Sequence, residues 1–491
     1  MGTKANIGII KNYIYNLSYQ ILAIIVPLIT TPYVSRILHA DGIGIYSYTG
    51  TITTFFSLFA ALGVNSYGQR EIAYFQNEKK KRSIVFWELF LCRVVTTLVV
   101  CIIYFLFAVF SGKYRNYYFI QIFTLLSVMV DISWFFQGIE NFKVVAIRNV
   151  LIRIVTVFLV FIFVKNENDL DKYMWINSLS TFFSCLFMII SLKGEVYKIS
   201  ISVLKPLRHM RGILEFFLPV LAVQLYSQVD KVMLGMITDN TTQNGYYEQA
   251  RKITELVVKV VVSLNTVLFS RVAFLVVQKN DQKIKNILKK SFNIIIMMLA
   301  PMMVGLYCIS DNFVLWFFGL EYKEVAILIK LSCPLILFMC IGNFVGVQFL
   351  NPTRQQNKAT IIYFISALIN IVLNMVLIPC FFSVGAMVAS NIAECISCIL
   401  QVYILKKSKY NFQMSKGIFQ YIFASFIMGI VILFLNTMNF NSYIVKTIVE
   451  IVVGVCIYMF VLFCIKERNI TYYIDKRRSK LLFKHILIVI K

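Results

Sequence analysis

Long apolar runs, interrupted by short clusters of charge, Gly and Pro, set the pattern of this chain. A run of about 20 apolar residues crosses the roughly 30 Å hydrocarbon core of a bilayer as one helix. Fourteen such runs are placed near 10–36, 43–64, 84–109, 116–137, 147–164, 173–192, 212–236, 248–276, 291–309, 325–350, 359–378, 383–405, 416–435 and 443–465. The pattern predicts an all-α polytopic membrane protein with 14 transmembrane helices, joined by connections too short for a large soluble domain. The first run exceeds the length of a signal-peptide core and lacks a small-residue cleavage site, so it is expected to remain as a span.

Composition agrees: 59% of the 491 residues are hydrophobic and only 14% charged, against about 25% charged in soluble proteins. The formal net charge of +25 does not indicate nucleic-acid binding, because the bases are scattered between apolar runs instead of gathered on one face. Their distribution indicates topology. With the N-terminus inside, the inner segments hold 33 Lys and Arg, the outer loops 7 and the spans 8. The positive-inside rule therefore predicts a multi-pass membrane protein with both termini cytoplasmic.

The two halves of the chain resemble each other. At an offset of 201, Gly44, Tyr46, Ile52, Thr53 and Arg70 fall on Gly245, Tyr247, Ile253, Thr254 and Arg271. Gln137 to Asn141, after the fourth run, is echoed by Gln348 to Asn351 after the tenth. A duplicated six-span unit is the pattern of transporters whose site lies between two halves. The expected division is a first lobe at 1–205, a second at 206–410, two extra C-terminal helices within 411–465, and a basic cytoplasmic tail at 466–491. In that tail Lys480 and Lys484 stand one turn apart among apolar residues, which suits either an amphipathic helix on an anionic leaflet or a disordered tail.

Charges inside spans are costly unless they face protein or water, and two groups stand out. Glu248, Arg251, Lys252, Glu255 and Lys259 share one face of span eight at spacings of 3 or 4. Asp230 and Lys231 lie in the outer part of span seven. Together these residues either line a cavity wall or form intrahelical ion pairs, Glu248 with Arg251 or Lys252 and Glu255 with Lys259. The second group, Glu88, Arg93, Asp131 and Arg153, is expected in the inner half of the membrane. It is read either as a proton or cation site or as a structural charge network. Pro27 and Pro32, with the polar residues of span one, suit a bendable gate or ordinary bundle packing.

Several chemistries have no residues to carry them. There is no G-x-x-x-x-G-K-[ST] phosphate loop. His39, His209 and His485 are too far apart in sequence to suggest a metal site, and the eleven cysteines mostly stand singly in apolar runs. Cys395 and Cys398 form a C-x-x-C, but in mid-span. No outer loop exceeds about 15 residues, which disfavours a membrane glycan polymerase or glycosyltransferase.

Two stretches carry a family resemblance. Ser35-Arg36-Ile37-Leu38 through Asp41-Gly42-Ile43-Gly44-Ile45-Tyr46-Ser47, then Leu62-Gly63 and Tyr67-Gly68-Gln69-Arg70-Glu71-Ile72-Ala73, resembles the N-terminal signature of Wzx-type polysaccharide repeat-unit flippases. These belong to the multidrug/oligosaccharidyl-lipid/polysaccharide (MOP) exporter superfamily. Trp134-Phe135-Phe136-Gln137-Gly138-Ile139-Glu140-Asn141-Phe142-Lys143, continuing to Ala146-Ile147-Arg148-Asn149, resembles the second hallmark of that family. His39 departs from it, standing where Gly is usual.

The resemblance implies two pseudo-symmetric six-helix lobes around a central cavity and alternating access. The implied cargo is an undecaprenyl-diphosphate-linked oligosaccharide, passed from inner to outer leaflet for capsule, O-antigen or exopolysaccharide synthesis. It also implies coupling to a proton or sodium gradient, no bound cofactor, no enzymatic activity, and a polysaccharide polymerase and export machinery as partners. By the same resemblance Arg36, Lys231, Arg251, Lys252 and Lys259 are candidates for diphosphate contacts. The competing readings are an exporter of drugs or other lipid precursors with the same fold and, from a different class, a membrane glycosyltransferase.

Overall fold

The structure is a computed structural model that describes residues 2–413 and 417–465; the side chains of 2–24, 264–267 and 270 are not included in that description. The tail expected to carry the amphipathic helix lies outside the described residues. Among the described residues the regular structure is entirely helical, as required where no water can satisfy backbone groups. Among the described residues eleven helices are long and apolar enough to cross a membrane, against the expected fourteen, and the difference has three sources. Helix α1 (Gly2–Ala61) runs through two expected spans and is broken only at His39 (φ 55°, ψ 177°). Helix α12 (Gln356–Lys407) does the same and is broken at Phe382 (φ 49°, ψ −127°). Helix α9 (Thr241–Val277) carries the charged face of the eighth run and is not among the eleven, some of its side chains lying outside the described residues.

The described residues form two compact units, 2–248 with 371–383, and 249–370 with 384–413 and 417–465. In the first unit α1 is followed by α2 (Val64–Tyr74), α3 (Lys79–Phe110), α4 (Arg115–Val130) and the short α5 (Ser133–Gly138). Then come α6 (Phe142–Phe163), α7 (Leu170–Ile190), α8 (Met210–Thr238) and the start of α9. The two signature stretches, far apart in sequence, meet here. Gly68 of α2 leaves room for the Trp134 ring, and Gly138 of α5 leaves room for Ile72 and the Gln69 carbonyl. Val64, Tyr67, Phe86, Leu89, Trp134 and Phe136 thereby form one buried cluster, so these hallmark residues are chiefly a packing core. Along α3 the residues Val95, Leu98, Val99 and Ile102 point outward and are exposed, as suits a lipid-facing surface.

The repeat also appears as a contact within this unit. A Cβ on Gly44 would overlap the Thr241 carbonyl, and a Cβ on Gly245 would overlap the Ala40 carbonyl. Since 241 and 245 are 40 and 44 shifted by 201, the contact is reciprocal about a local pseudo-two-fold axis. Both helices use a small-x-x-x-small spacing, Ala40 with Gly44 and Thr241 with Gly245, which lets backbones approach.

In the second unit, the remainder of α9 is followed by α10 (Asp281–Phe317) and α11 (Lys323–Val345), which runs into a π-helical turn at Gly346–Leu350. Most of α12 follows, then α13 (Gly417–Asn436) and α14 (Tyr443–Cys464). Asn312 of α10 joins the last two helices: its Nδ2 donates to Asn436 Oδ1 at 2.5 Å and to Glu450 Oε1 at 3.0 Å. Trp316 Nε1 adds a 3.0 Å bond to Thr447 Oγ1.

The register expected between the connections after the fourth and tenth runs is not the one their backbones share. Glu140 and Arg354 both take positive φ, 60° and 59°. The next amide in each case reaches back five residues, Asn141 N to Phe136 O at 2.8 Å and Gln355 N to Leu350 O at 2.8 Å, which is the Schellman stop. Gln137–Asn141 therefore matches 351–355 in conformation, three residues beyond the register read from the sequence.

Candidate functional site

The candidate charges fall into four local groups. The first joins α8 to the start of α9. Consecutive residues Asp230 and Lys231 face consecutive residues Tyr247 and Glu248: Tyr247 Oη donates to Asp230 Oδ2 at 2.6 Å, and Lys231 Nζ lies 2.7 Å from Glu248 Oε2. Asn374 Nδ2 donates to Asp230 Oδ1 at 2.6 Å, and Ser47 Oγ donates to Glu248 Oε2 at 2.9 Å. Asp230 is 3% exposed, so each of its oxygens takes a donor away from water, as a buried carboxylate requires. Ser47 and Glu248 are again 201 apart and meet along the repeat contact. Glu248 is thus paired across the helical hairpin.

The second group lies on α9 within the second unit. Arg251 is buried and stands 3.8 Å from Glu255, which in turn stands 3.8 Å from Lys259. Arg251 Nη1 also points at the Met339 sulfur at 4.0 Å. Lys252 is half-buried and the Lys259 side chain is 56% exposed. The expected Glu255–Lys259 pair is present, and Arg251 extends it to a ladder along one face. Arg36 lies on α1 in the first unit and is exposed.

The sequence reading placed Glu88, Arg93, Asp131 and Arg153 in one network; the structure divides them. Arg93, 1% exposed, donates through Nε to the Val128 carbonyl and through Nη1 to Asn65 Oδ1 at 2.7 Å. Its Nη2 lies 3.8 Å from Asp131. The cation closer to Asp131 is Arg148, at 3.1 Å, not Arg153. Ser133 N and Oγ both donate to the same carboxylate at 3.0 Å. Asp131 therefore caps the break between α4 and α5 while balancing two guanidinium groups.

Glu88 belongs elsewhere. Its carboxylate accepts from Lys205 N at 2.7 Å and Arg208 Nη2 at 2.5 Å, and lies 2.9 Å from His209 Nε2. His209 Nδ1 is in turn 2.9 Å from Tyr67 Oη. All three partners of Glu88 come from the connection between α7 and α8, so this acid fastens that connection to α3. The residues that sequence reasoning missed are Arg148, Asn65, Arg208 and His209. Helical spacing held part of the signal: at 100° per residue, positions five apart point about 140° away from each other. Glu88 and Arg93 cannot face one partner, and Arg148 and Arg153 cannot both face Asp131.

No group of three or more His, Cys, Asp or Glu suited to a metal occurs among the described residues. The arrangement offers paired cations on membrane-spanning helices, suited to meeting an anion.

Comparison with known proteins places this geometry. The protein named "Putative O-antigen transporter" of Escherichia coli (strain K12) is 22% identical over 414 residues, covering 81% of this chain and 97% of that protein. The "Probable low-salt glycan biosynthesis flippase Agl15" of Haloferax volcanii is 22% identical over 279 residues, 55% of this chain and 58% of that protein. Among solved structures, lipid II flippase MurJ in an inward closed conformation shares the fold with TM-score 0.70 at 17% identity, covering 94% of this chain and all of that one. An inward-facing multidrug resistance MATE family transporter of the MOP superfamily does so with TM-score 0.62 at 13% identity, covering 80% and 98%. Residues 9–275, more than half of the chain, match the family model described as polysaccharide biosynthesis protein, and the chain, a multi-pass membrane protein, belongs to that family.

Proposed function

We propose that this protein flips undecaprenyl-diphosphate-linked oligosaccharide repeat units from the inner to the outer leaflet of a bacterial cytoplasmic membrane, by alternating access and with both termini cytoplasmic. The observation that carries the proposal is the family match over 9–275 together with the alignment to nearly the whole length of an O-antigen transporter homologue. The activity is transport, without bond chemistry, and the cargo passes to a polysaccharide polymerase and export machinery. The multidrug reading rests on a shared fold at 13% identity.

On this reading the diphosphate is met by cations. Arg251, Lys252 and Lys259 on α9 are the candidates in the second unit, with Glu255 holding the ladder; Arg36 and Lys231 are those in the first. Lys231 would exchange Glu248 for phosphate, leaving Asp230 to keep the hairpin closed. A proton or sodium gradient drives the cycle, with Asp131 and Glu88 as the candidate carboxylates. The three donors on Glu88 favour an anchoring role for it.

The test is transport of a fluorescent lipid-linked oligosaccharide in proteoliposomes, with surface polysaccharide export in cells. Alanine at Arg251, Lys252 and Lys259, singly and together, is expected to impair both without loss of expression. Normal transport by the triple variant would remove that site, and no transport by the wild-type protein under any imposed gradient would remove the function.

A further inference from the structure

The connection between α7 and α8 holds five basic residues and one acid between 193 and 211, and it is strapped lengthwise along α3. Arg82 Nη2 donates to the Glu195 carbonyl at 2.8 Å and lies 3.1 Å from its carboxylate. Tyr197 N donates to Ser83 Oγ at 3.0 Å, and Trp87 Nε1 donates to the Tyr197 carbonyl at 2.8 Å. Lys205 N is held by Glu88, and Cys92 Sγ points at the Pro206 carbonyl at 3.4 Å. From 195 to 206 the strap thus follows α3 from 82 to 92, about 15 Å at 1.5 Å per residue.

The depth of this strap follows from α3. Its exposed apolar face ends at Phe110, 84% exposed, and counting back the roughly 20 residues needed to cross 30 Å reaches Leu91. The stretch Lys79–Phe90 therefore lies at headgroup level, and Pro206, beside Cys92, sits at the boundary with the acyl chains. Around that point the strap turns large aliphatic side chains outward: Ile201 is 78% exposed, Val203 53% and Leu207 80%. Lys198, Lys205 and Arg211 are exposed beside them. Of the two nearby acids, Glu195 is met by Arg82, and Glu215 lies 3.4 Å from Arg211 in a pair whose side chains are 61% and 93% exposed, weak enough for a lipid phosphate to replace.

We infer that residues 198–211 form an interfacial docking element for anionic lipids. Ile201, Val203 and Leu207 enter the headgroup–acyl boundary while Lys198, Lys205 and Arg211 take lipid phosphates. Aliphatic side chains beside cations at this depth fit an anionic bilayer face, and the hydrogen bonds to α3 fix the segment there before any lipid arrives. A second protein is a poorer match, since the face is continuous with the lipid-exposed sides of α3 and of α8, where Leu214 and Leu218 are also exposed. On the proposed topology this face meets the cytoplasmic leaflet.

The test is hydrogen–deuterium exchange of the full chain in nanodiscs of phosphatidylcholine alone and of phosphatidylcholine with phosphatidylglycerol at 7:3. Amides of 198–211 are expected to exchange at least tenfold more slowly in the anionic discs, with the difference lost in high salt. The triple variant Lys198→Gln, Lys205→Gln, Arg211→Gln should abolish the lipid dependence, and Ile201→Ser with Leu207→Ser should speed exchange in both discs. Equal exchange of the wild-type strap in the two bilayers would overturn the inference. None of these outcomes depends on whether the protein transports oligosaccharide.

Discussion

Gly44 and Gly245, 201 positions apart, each lie against the backbone carbonyl of the residue four before the other, Thr241 and Ala40 respectively. A side chain at either position would meet main chain, which cannot rotate aside. Gly44→Val and Gly245→Val are expected to cost at least about 2 kcal/mol, in the range of overpacked interiors, and to lower the melting midpoint of the detergent-purified protein. Gly50, with nothing within 4 Å of a built Cβ, is the control, and Gly50→Ala should be neutral or stabilising. Equal melting of all three variants would show that the contact does not hold the repeats together.

His39 adopts φ 55° and ψ 177° at the junction inside α1, a region that glycine enters without steric cost. His39→Gly should raise stability by about 1 kcal/mol and His39→Val should lower it, a pair that thermal unfolding resolves. A Gly variant melting below wild type would mean that the imidazole contributes more than the backbone strain costs.

Asp131 stands between two guanidinium groups, one of them almost wholly buried. Removing one partner of a buried pair leaves a charge uncompensated and costs about 3–5 kcal/mol. Asp131→Asn should therefore reduce the folded yield sharply, while Arg153→Gln should not. If Asp131→Asn folds normally and instead changes the ion dependence of transport, the carboxylate serves coupling before structure.

The pair Lys231–Glu248 is open to a double-mutant cycle. Lys231→Met and Glu248→Gln should each destabilise by about 2–4 kcal/mol, and the double variant should lose less than the sum, because no charge is then left unpaired. Additive losses would mean that the two side chains do not depend on each other.

Glu88→Gln retains the shape of the side chain but removes the charge that holds Arg208. The α7–α8 connection should then exchange its amides faster at 195–209, with oligosaccharide transport keeping its ion dependence. Altered ion dependence with an unchanged connection would restore Glu88 as a coupling site.

The sequence by itself determined that this is a helical membrane protein, because backbone groups in hydrocarbon must bond internally and only long apolar helices achieve that. It also determined the 201-residue correspondence, since Gly44 and Gly245 are irreplaceable wherever two backbones touch, and that survives as identity. Only the tertiary structure decided which charge meets which. Lys231 on the preceding helix comes within 2.7 Å of Glu248, a pair that residue spacing along α9 does not disclose and that depends on how α8 and α9 pack. It likewise decided that the two signature stretches form one core and that the connection before α8 lies along α3. Each of these is a contact between segments distant in the chain, fixed by shape and by the demand that every buried polar group find a partner, which no local pattern records.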